Sequence, residues 1–292
     1  MKQPIELRHL RDFGQIISDS FTFLKENFKP LFKALIIICG FFIIISTAST
    51  VFTYLNMPIF SRFDPGSYNA ALRPASYIFA AFLNAFFLMI THLFIYLVTL
   101  CYISVYLQKN NNTPTLAEVW GYFKYYFFRV LGSGILIFLL VVIGFVLCII
   151  PGLYLFPITY LIIPIIVIEN SSFRYAFNKS FRLIKDNWWL VFGVIFIMSL
   201  IVGVAGAIVN IPITSITMGS KLLSLKSITV PVIVIFSILR NLLLLAYILP
   251  AIATCLCYFN LEEEKNGTGL LDRIAKLGVN PDNNSTLPTE EY

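Results

Sequence analysis

Six apolar runs divide the chain, near positions 32–56, 77–107, 130–150, 152–168, 189–211 and 229–259, with polar stretches between most of them. A helix needs roughly 20 apolar residues to cross a bilayer. The pattern therefore predicts an all-α integral membrane protein with six transmembrane helices. Runs three and four are parted only by Pro151 and Gly152. A helix-breaking Pro-Gly inside so long an apolar stretch favours a tight hairpin over one continuous helix.

The polar stretches are patterned too. SFTFLKENFKPLF (20–32) stands before the first run and SFRLIKDNWWLVF (180–192) before the fifth; Ser20, Phe21, Lys25, Asn27 and Phe32 match Ser180, Phe181, Lys185, Asn187 and Phe192. A weaker copy runs through Leu116, Trp120, Phe123, Lys124 and Phe127. Each carries apolar residues at i, i+4, i+7 and i+11: Ile17, Phe21, Leu24, Phe28; Leu116, Trp120, Phe123, Phe127; Phe177, Phe181, Ile184, Trp188. That spacing marks one face of an amphipathic helix. With Lys and Arg opposite and aromatic clusters at its end, such a helix suits the headgroup region. Thr115 and Glu118 match a capping box at the start of the middle copy.

The predicted unit is thus an interfacial helix followed by a transmembrane hairpin, used three times, at about 10–107, 113–168 and 172–259. Residues 1–260 form the membrane domain, and 261–292 a cytoplasmic tail with a short amphipathic helix (Leu270, Ile274, Leu277) and a disordered end. All three copies start on the same side, unlike the inverted repeats of many secondary transporters.

Composition agrees with the pattern: 58% of residues are hydrophobic and 12% charged, against about a quarter charged in soluble domains. Charge orients the bundle. Lys2, Arg8, Arg11, Lys25, Lys29, Lys33, Lys109, Lys124, Arg129, Arg174, Lys179, Arg182, Lys185, Lys265, Arg273 and Lys276 share one side, and Arg62, Arg73, Lys221 and Lys226 lie opposite. Positive residues stay inside, so the chain is expected in the cell (inner) membrane with both termini cytoplasmic. The net charge of +6 then reads as contact with anionic lipid, with no nucleic-acid partner. The polar segment ahead of residue 32 and the length of the first run argue for a retained first helix rather than a cleaved leader. Cys39, Cys101, Cys148, Cys255 and Cys257 all fall inside predicted spans without metal-ligand spacing; they read as small buried residues, with no metal or other cofactor expected.

FGQIISDSFTFLKENFKPL (13–31), NWWLVFG (187–193), PGLYL (151–155) and YFNLEEEKNGTGLLDRIAKLG (258–278) resemble the membrane domain of glycerophosphoryl diester phosphodiesterases and its stand-alone bacterial relatives. In bifunctional members that domain precedes a soluble barrel that hydrolyses glycerophosphodiesters with acidic and histidine residues. This chain has no segment corresponding to the barrel, and His9 and His92 are its only histidines. The resemblance implies a fold here, not phosphodiesterase activity.

Candidate chemistry is sparse. All 15 acidic residues fall in tails, loops or span ends, which leaves a coupled carrier without the ionisable relay it ordinarily places at membrane depth. Ser133, between Gly132 and Gly134, has no base beside it in sequence; a small-residue helix contact explains it better than a nucleophile, as for Gly203 and Ala207. Arg240 lies about 11 residues into the sixth run, roughly 16 Å deep in an untilted helix. A charge there costs about 2.5–3.5 kcal/mol. Either it lines a polar cavity with Asn241, His92, Asn84 and Asn210 and takes an anionic headgroup or solute, or it snorkels outward. Pro164 and Pro250 sit alike in spans four and six, where matched kinks would either open a central cavity or be inherited repeat geometry without function.

The expected function is non-enzymatic: handling of anionic lipid, or support of a membrane-protein partner, through the surface residues Lys25, Lys29, Lys124, Arg182, Lys185, Trp188 and Trp189. A transporter or channel for a small anionic or amphiphilic solute is the alternative, and an intramembrane hydrolase at Ser133 a third. Oligomeric state is not legible from this pattern.

Overall fold

The computed structural model describes residues 5–56, 73–109, 111–147, 149–223, 226–267 and 271. Among them every regular element is helical: α1 (Phe13–Leu55), α2 (Arg73–Gln108), α3 (Leu116–Leu147), α4 (Ile149–Ile168), α5 (Phe173–Ile184), α6 (Trp188–Leu223), α7 (Lys226–Leu243), a 3-10 turn (Leu244–Tyr247) and α8 (Ile248–Asn266). Six stretches are long and apolar enough to cross a membrane: α1 to α4, α6, and α7 with α8 counted together. The helix and disordered end predicted for the tail, and Cys148 and Arg62, lie outside the described residues.

Two of the three entrances do not form separate helices. α1 has 43 residues, which at 1.5 Å each is roughly 64 Å, about twice the hydrocarbon thickness. Its first turns must therefore lie outside the hydrocarbon while continuing directly into the span. α3 likewise runs unbroken from entrance to span. Only the third entrance is a helix of its own, α5. The cause is local. At the break, Asn187 turns its amide to Glu264 at 2.7 Å, while Lys265 reaches the Arg182 carbonyl at 2.5 Å and Asp186 at 3.1 Å. The end of α8 thus clamps the gap between α5 and α6. In α1 the matching Asn27 stays in the helix, donating to Phe23 O at 3.2 Å and accepting from Tyr102 OH at 2.9 Å.

The helix starts are capped as short polar side chains allow. Asp12 and Gln15 form a complete capping box on α1, and Ser172 accepts from Tyr175 N–H on α5. On α3 the Glu118 carboxylate accepts from Thr115 N–H at 2.8 Å.

The hairpin between α3 and α4 is as tight as the Pro-Gly pair predicts, with α3 ending at Leu147 and α4 beginning at Ile149, ahead of that pair. Pro151 and Gly152 sit in the first turn of α4, where proline's missing N–H has no partner to lose. The helices approach closely at Gly144 and Gly152: a Cβ on Gly152 would stand 2.8 Å from the Phe145 ring. Elsewhere the small-residue expectation fails. A Cβ at Gly132, Gly134 or Gly203 would meet nothing within 4 Å, so these glycines face away from the other helices of the chain.

α8 is the hub. It packs against α1, α2, α4, α5 and α6, and its residues from Ile248 to Glu262 are all buried. Its buried surface passes the boundary drawn at 260, since Leu261 and Glu262 belong to it. The break before it follows from Pro250, which has no N–H to donate and whose ring crowds the carbonyl of Ala246; the chain answers with the 3-10 turn. Leu245, Ile248, Leu249 and Pro250 fill this break with buried side chains. Pro164 instead stays within a continuous α4.

Candidate functional site

Three polar assemblies occupy the bundle, and the predicted residues are divided among them. The first joins α1, α2 and α7. Ser46 Oγ donates to Asn241 Oδ1 at 2.6 Å; Asn84 Nδ2 donates to Thr50 Oγ1 at 2.7 Å; Asn241 Nδ2 donates to Thr50 Oγ1 at 3.3 Å and to Ser237 O at 2.9 Å. All five residues are buried. Asn84 and Asn241 are therefore brought together, through Thr50. Ser237 Oγ is buried there without a partner among the described residues.

Among the described residues, the hydrogen bonds of this network do not extend to His92 or Arg240. His92 packs edge-on against Tyr247, ring centroids 4.3 Å apart, at the break in the sixth span. Arg240 and Asn210 are half-buried on α7 and α6. Ser133 is buried and donates to the Arg129 carbonyl of its own helix at 2.7 Å, an arrangement that satisfies the hydroxyl without a base.

The second assembly binds the α8 end of the bundle and escaped the sequence reading. Lys179 Nζ on α5 lies 2.5 Å from Glu169 Oε1 and 2.8 Å from Glu262 Oε2, and Tyr258 OH donates to the same Glu169 oxygen. Lys179 is only 6% exposed. Burial alone would lower its pKa; the hydrogen bonds and charges of Glu169 and Glu262 outweigh burial and raise it above the ordinary lysine value. The signal lay in YFNLEEE, where Tyr258 and Glu262 stand four apart on one helix face. Its partner Lys179 is hidden among interfacial cations by composition alone.

Close by, Arg11 fastens the segment before α1. Its backbone N–H donates to Asn260 Oδ1 on α8 at 2.7 Å, Nε to Asp19 at 2.8 Å and NH1 to Leu7 O at 2.8 Å, and NH2 bonds Glu6 O. Burial lowers its pKa, opposed by Asp19.

The third assembly is at the surface. The buried stripe of each entrance coincides only in part with the one predicted. In α1 it comprises Ile16, Ser20, Phe23, Asn27 and Leu31; in α3, Val119, Phe123, Tyr126 and Val130; in α5, Ala176, Lys179, Ser180, Leu183 and Ile184, so the predicted Phe123 and Ile184 belong to it while Ile17, Leu24, Phe127, Phe177 and Phe181 pack against it half-buried. The serines matched in sequence, Ser20 and Ser180, are both fully buried. Phe21, Lys25, Phe28 and Lys29 are left exposed on α1, and Trp120, Lys124, Tyr125, Phe128 and Arg129 on α3. Lys124 lies 5.2 Å from the Trp120 ring centre and Arg129 5.4 Å from that of Tyr125, within cation–π range. Arg182, Lys185 and Trp189 are exposed too, whereas Trp188 is half-buried, donating to Tyr154 O at 3.0 Å.

These features define a class, an all-helical multi-pass integral membrane protein. Compared with known proteins, the chain matches no family model, no curated protein and no solved structure.

Proposed function

We propose that the protein is a non-enzymatic binder of anionic lipid in the cytoplasmic leaflet, working through the exposed basic and aromatic faces of α1, α3 and α5. One observation carries this reading. The core takes one stripe of each entrance helix and leaves outside a second that alternates aromatic rings with lysine, including Phe21, Lys25, Phe28 and Lys29. Rings of this kind settle at headgroup level, and each cation near an anionic surface contributes about 1 kcal/mol. The resemblance to a membrane domain that accompanies glycerophosphodiester hydrolysis is consistent with a lipid role without hydrolysis. The equal burial of Ser20 and Ser180 supports taking the entrances as copies of one unit.

A solute path along Asn84 and Asn241 is the second reading. Against it, both amides are already engaged by Thr50 and Ser46.

The test is mass spectrometry of lipids retained by purified protein, comparing wild type with Lys25→Gln/Lys29→Gln/Lys124→Gln and with Arg240→Leu. Enrichment of anionic lipid in wild type that falls in the triple variant and persists in Arg240→Leu is expected. Bulk-like lipid in wild type overturns the proposal, and loss in Arg240→Leu alone moves the site to α7.

A further inference from the structure

A cleft of about 690 Å³ opens where the end of α2 meets the start of α3 and the end of α4, lined by Gln108, Lys109, Glu118, Tyr122, Tyr125 and Asn170 among others. Its volume is in the range of small-molecule sites. Lys109 lines it, and Arg129 stands at its edge, touching the lining residues Asn170, Tyr125 and Tyr126. Lys109 is neutralised by Glu118 at 2.8 Å. Arg129 is held in place but not neutralised: NH1 donates to Asn170 Oδ1 at 2.7 Å, and the guanidinium rests over Tyr125 and Tyr126 at 5.4 and 5.9 Å. No described carboxylate pairs with it. Asn170 is itself fixed for this purpose. It sits at φ 50°, which asparagine tolerates better than most residues, and its Oδ1 also accepts from Tyr125 OH at 3.3 Å.

An arginine ordered by a neutral acceptor and two rings keeps most of its five N–H donors for another acceptor. Its planar fork matches a phosphate in bidentate fashion. Beside it Phe128 is 77% exposed, an apolar neighbour suited to an acyl chain. We infer that Arg129, positioned by Asn170 and Tyr125, binds the phosphodiester of an anionic glycerophospholipid at this cleft. This rests on the lipid-binding reading above and gives that surface one defined site.

The experiment is calorimetric titration of the full chain in uncharged detergent with dihexanoyl phosphatidylglycerol, with dihexanoyl phosphatidylcholine, and with inorganic phosphate. Wild type should bind the phosphatidylglycerol saturably, near one per chain. Arg129→Gln should weaken it about tenfold or more, the usual consequence of losing a charge-assisted pair. Asn170→Gly, which suits the positive φ and removes only the positioning carbonyl, should weaken it several-fold. Gly203→Ala, on α6, where an added methyl meets nothing within 4 Å, should leave it unchanged. Equal affinity in wild type and Arg129→Gln overturns the site while leaving the broader surface reading intact; no binding by wild type, together with bulk-like retained lipid, overturns both. Phosphatidylcholine binding as tightly as phosphatidylglycerol overturns selection for an anionic headgroup. Inorganic phosphate competing at equal concentration assigns the pocket to a soluble phosphate and overturns the lipid as its occupant.

Discussion

Lys179→Met removes the one cation between Glu169 and Glu262 while keeping a side chain of similar length. In wild type the ammonium lies 2.5 Å from one carboxylate and 2.8 Å from the other. Leaving buried charge unpaired costs about 3–5 kcal/mol. The side chains of Glu169 and Glu262 are 21% and 11% exposed, so water recovers part, and we expect a loss of about 2–4 kcal/mol. Unfolding in detergent, followed by helical circular dichroism, reads this directly. The triple change Lys179→Met/Glu169→Gln/Glu262→Gln removes all three charges and should restore most of the loss, because a cluster emptied of charge leaves nothing unpaired. The pH dependence of the wild-type cluster follows from Lys179. Lys179 has a folded pKa above its ordinary 10.5, so its contribution is complete below that value and disappears only as pH rises through the folded one. A single variant within about 0.5 kcal/mol of wild type, the scale of an ordinary surface change, refutes the argument, as does a triple variant no better than the single.

Two further outcomes follow from packing and from the N-terminal segment. Gly152→Ala places a methyl against the Phe145 ring and should cost about 1–2 kcal/mol in the same unfolding assay, with Phe145→Ala in the same chain relieving most of it. Asn260→Ala removes the acceptor of the Arg11 N–H. Amide exchange across residues 5–12 should then quicken about tenfold, as expected for one lost buried hydrogen bond, with the exchange of α4 unchanged.

The six spans were legible because lipid imposes length and apolarity on every crossing segment. The α3–α4 hairpin was legible because Pro151 and Gly152 break a run nothing else breaks. The face each entrance buries was legible only in part, as Phe123 and Ile184 show, and the reason is physical. Apolar periodicity finds the greasier stripe, and at a membrane surface the greasier stripe suits lipid while the core accepts Ser20, Asn27 and Ser180. Lys179 was hidden for the same reason: its charge counts toward topology wherever its side chain points. Asn84 and Asn241 were named as candidate cavity residues; both are buried, and their meeting depends on Thr50 and Ser46, hydroxyls too common in membrane helices to stand out. Arg129 gave no signal beyond its charge, since what distinguishes it is the neutral partner Asn170 in a separate loop.

The bond from Arg11 to Asn260 joins residues 249 positions apart, and it sets a timetable for assembly. At a synthesis rate of about 5–20 residues per second, the segment before α1 waits roughly 12–50 s for its partner to be made. During that interval α1, α2, α4, α5 and α6 stand without the helix they all pack against, and Lys179 lacks Glu262. Polar groups left without partners in a bilayer attract lipid headgroups, water and other proteins. The newly made chain is therefore most exposed to proteases and insertion factors just before its sixth span is delivered, and truncation ahead of residue 248 should give a product cleared by quality control.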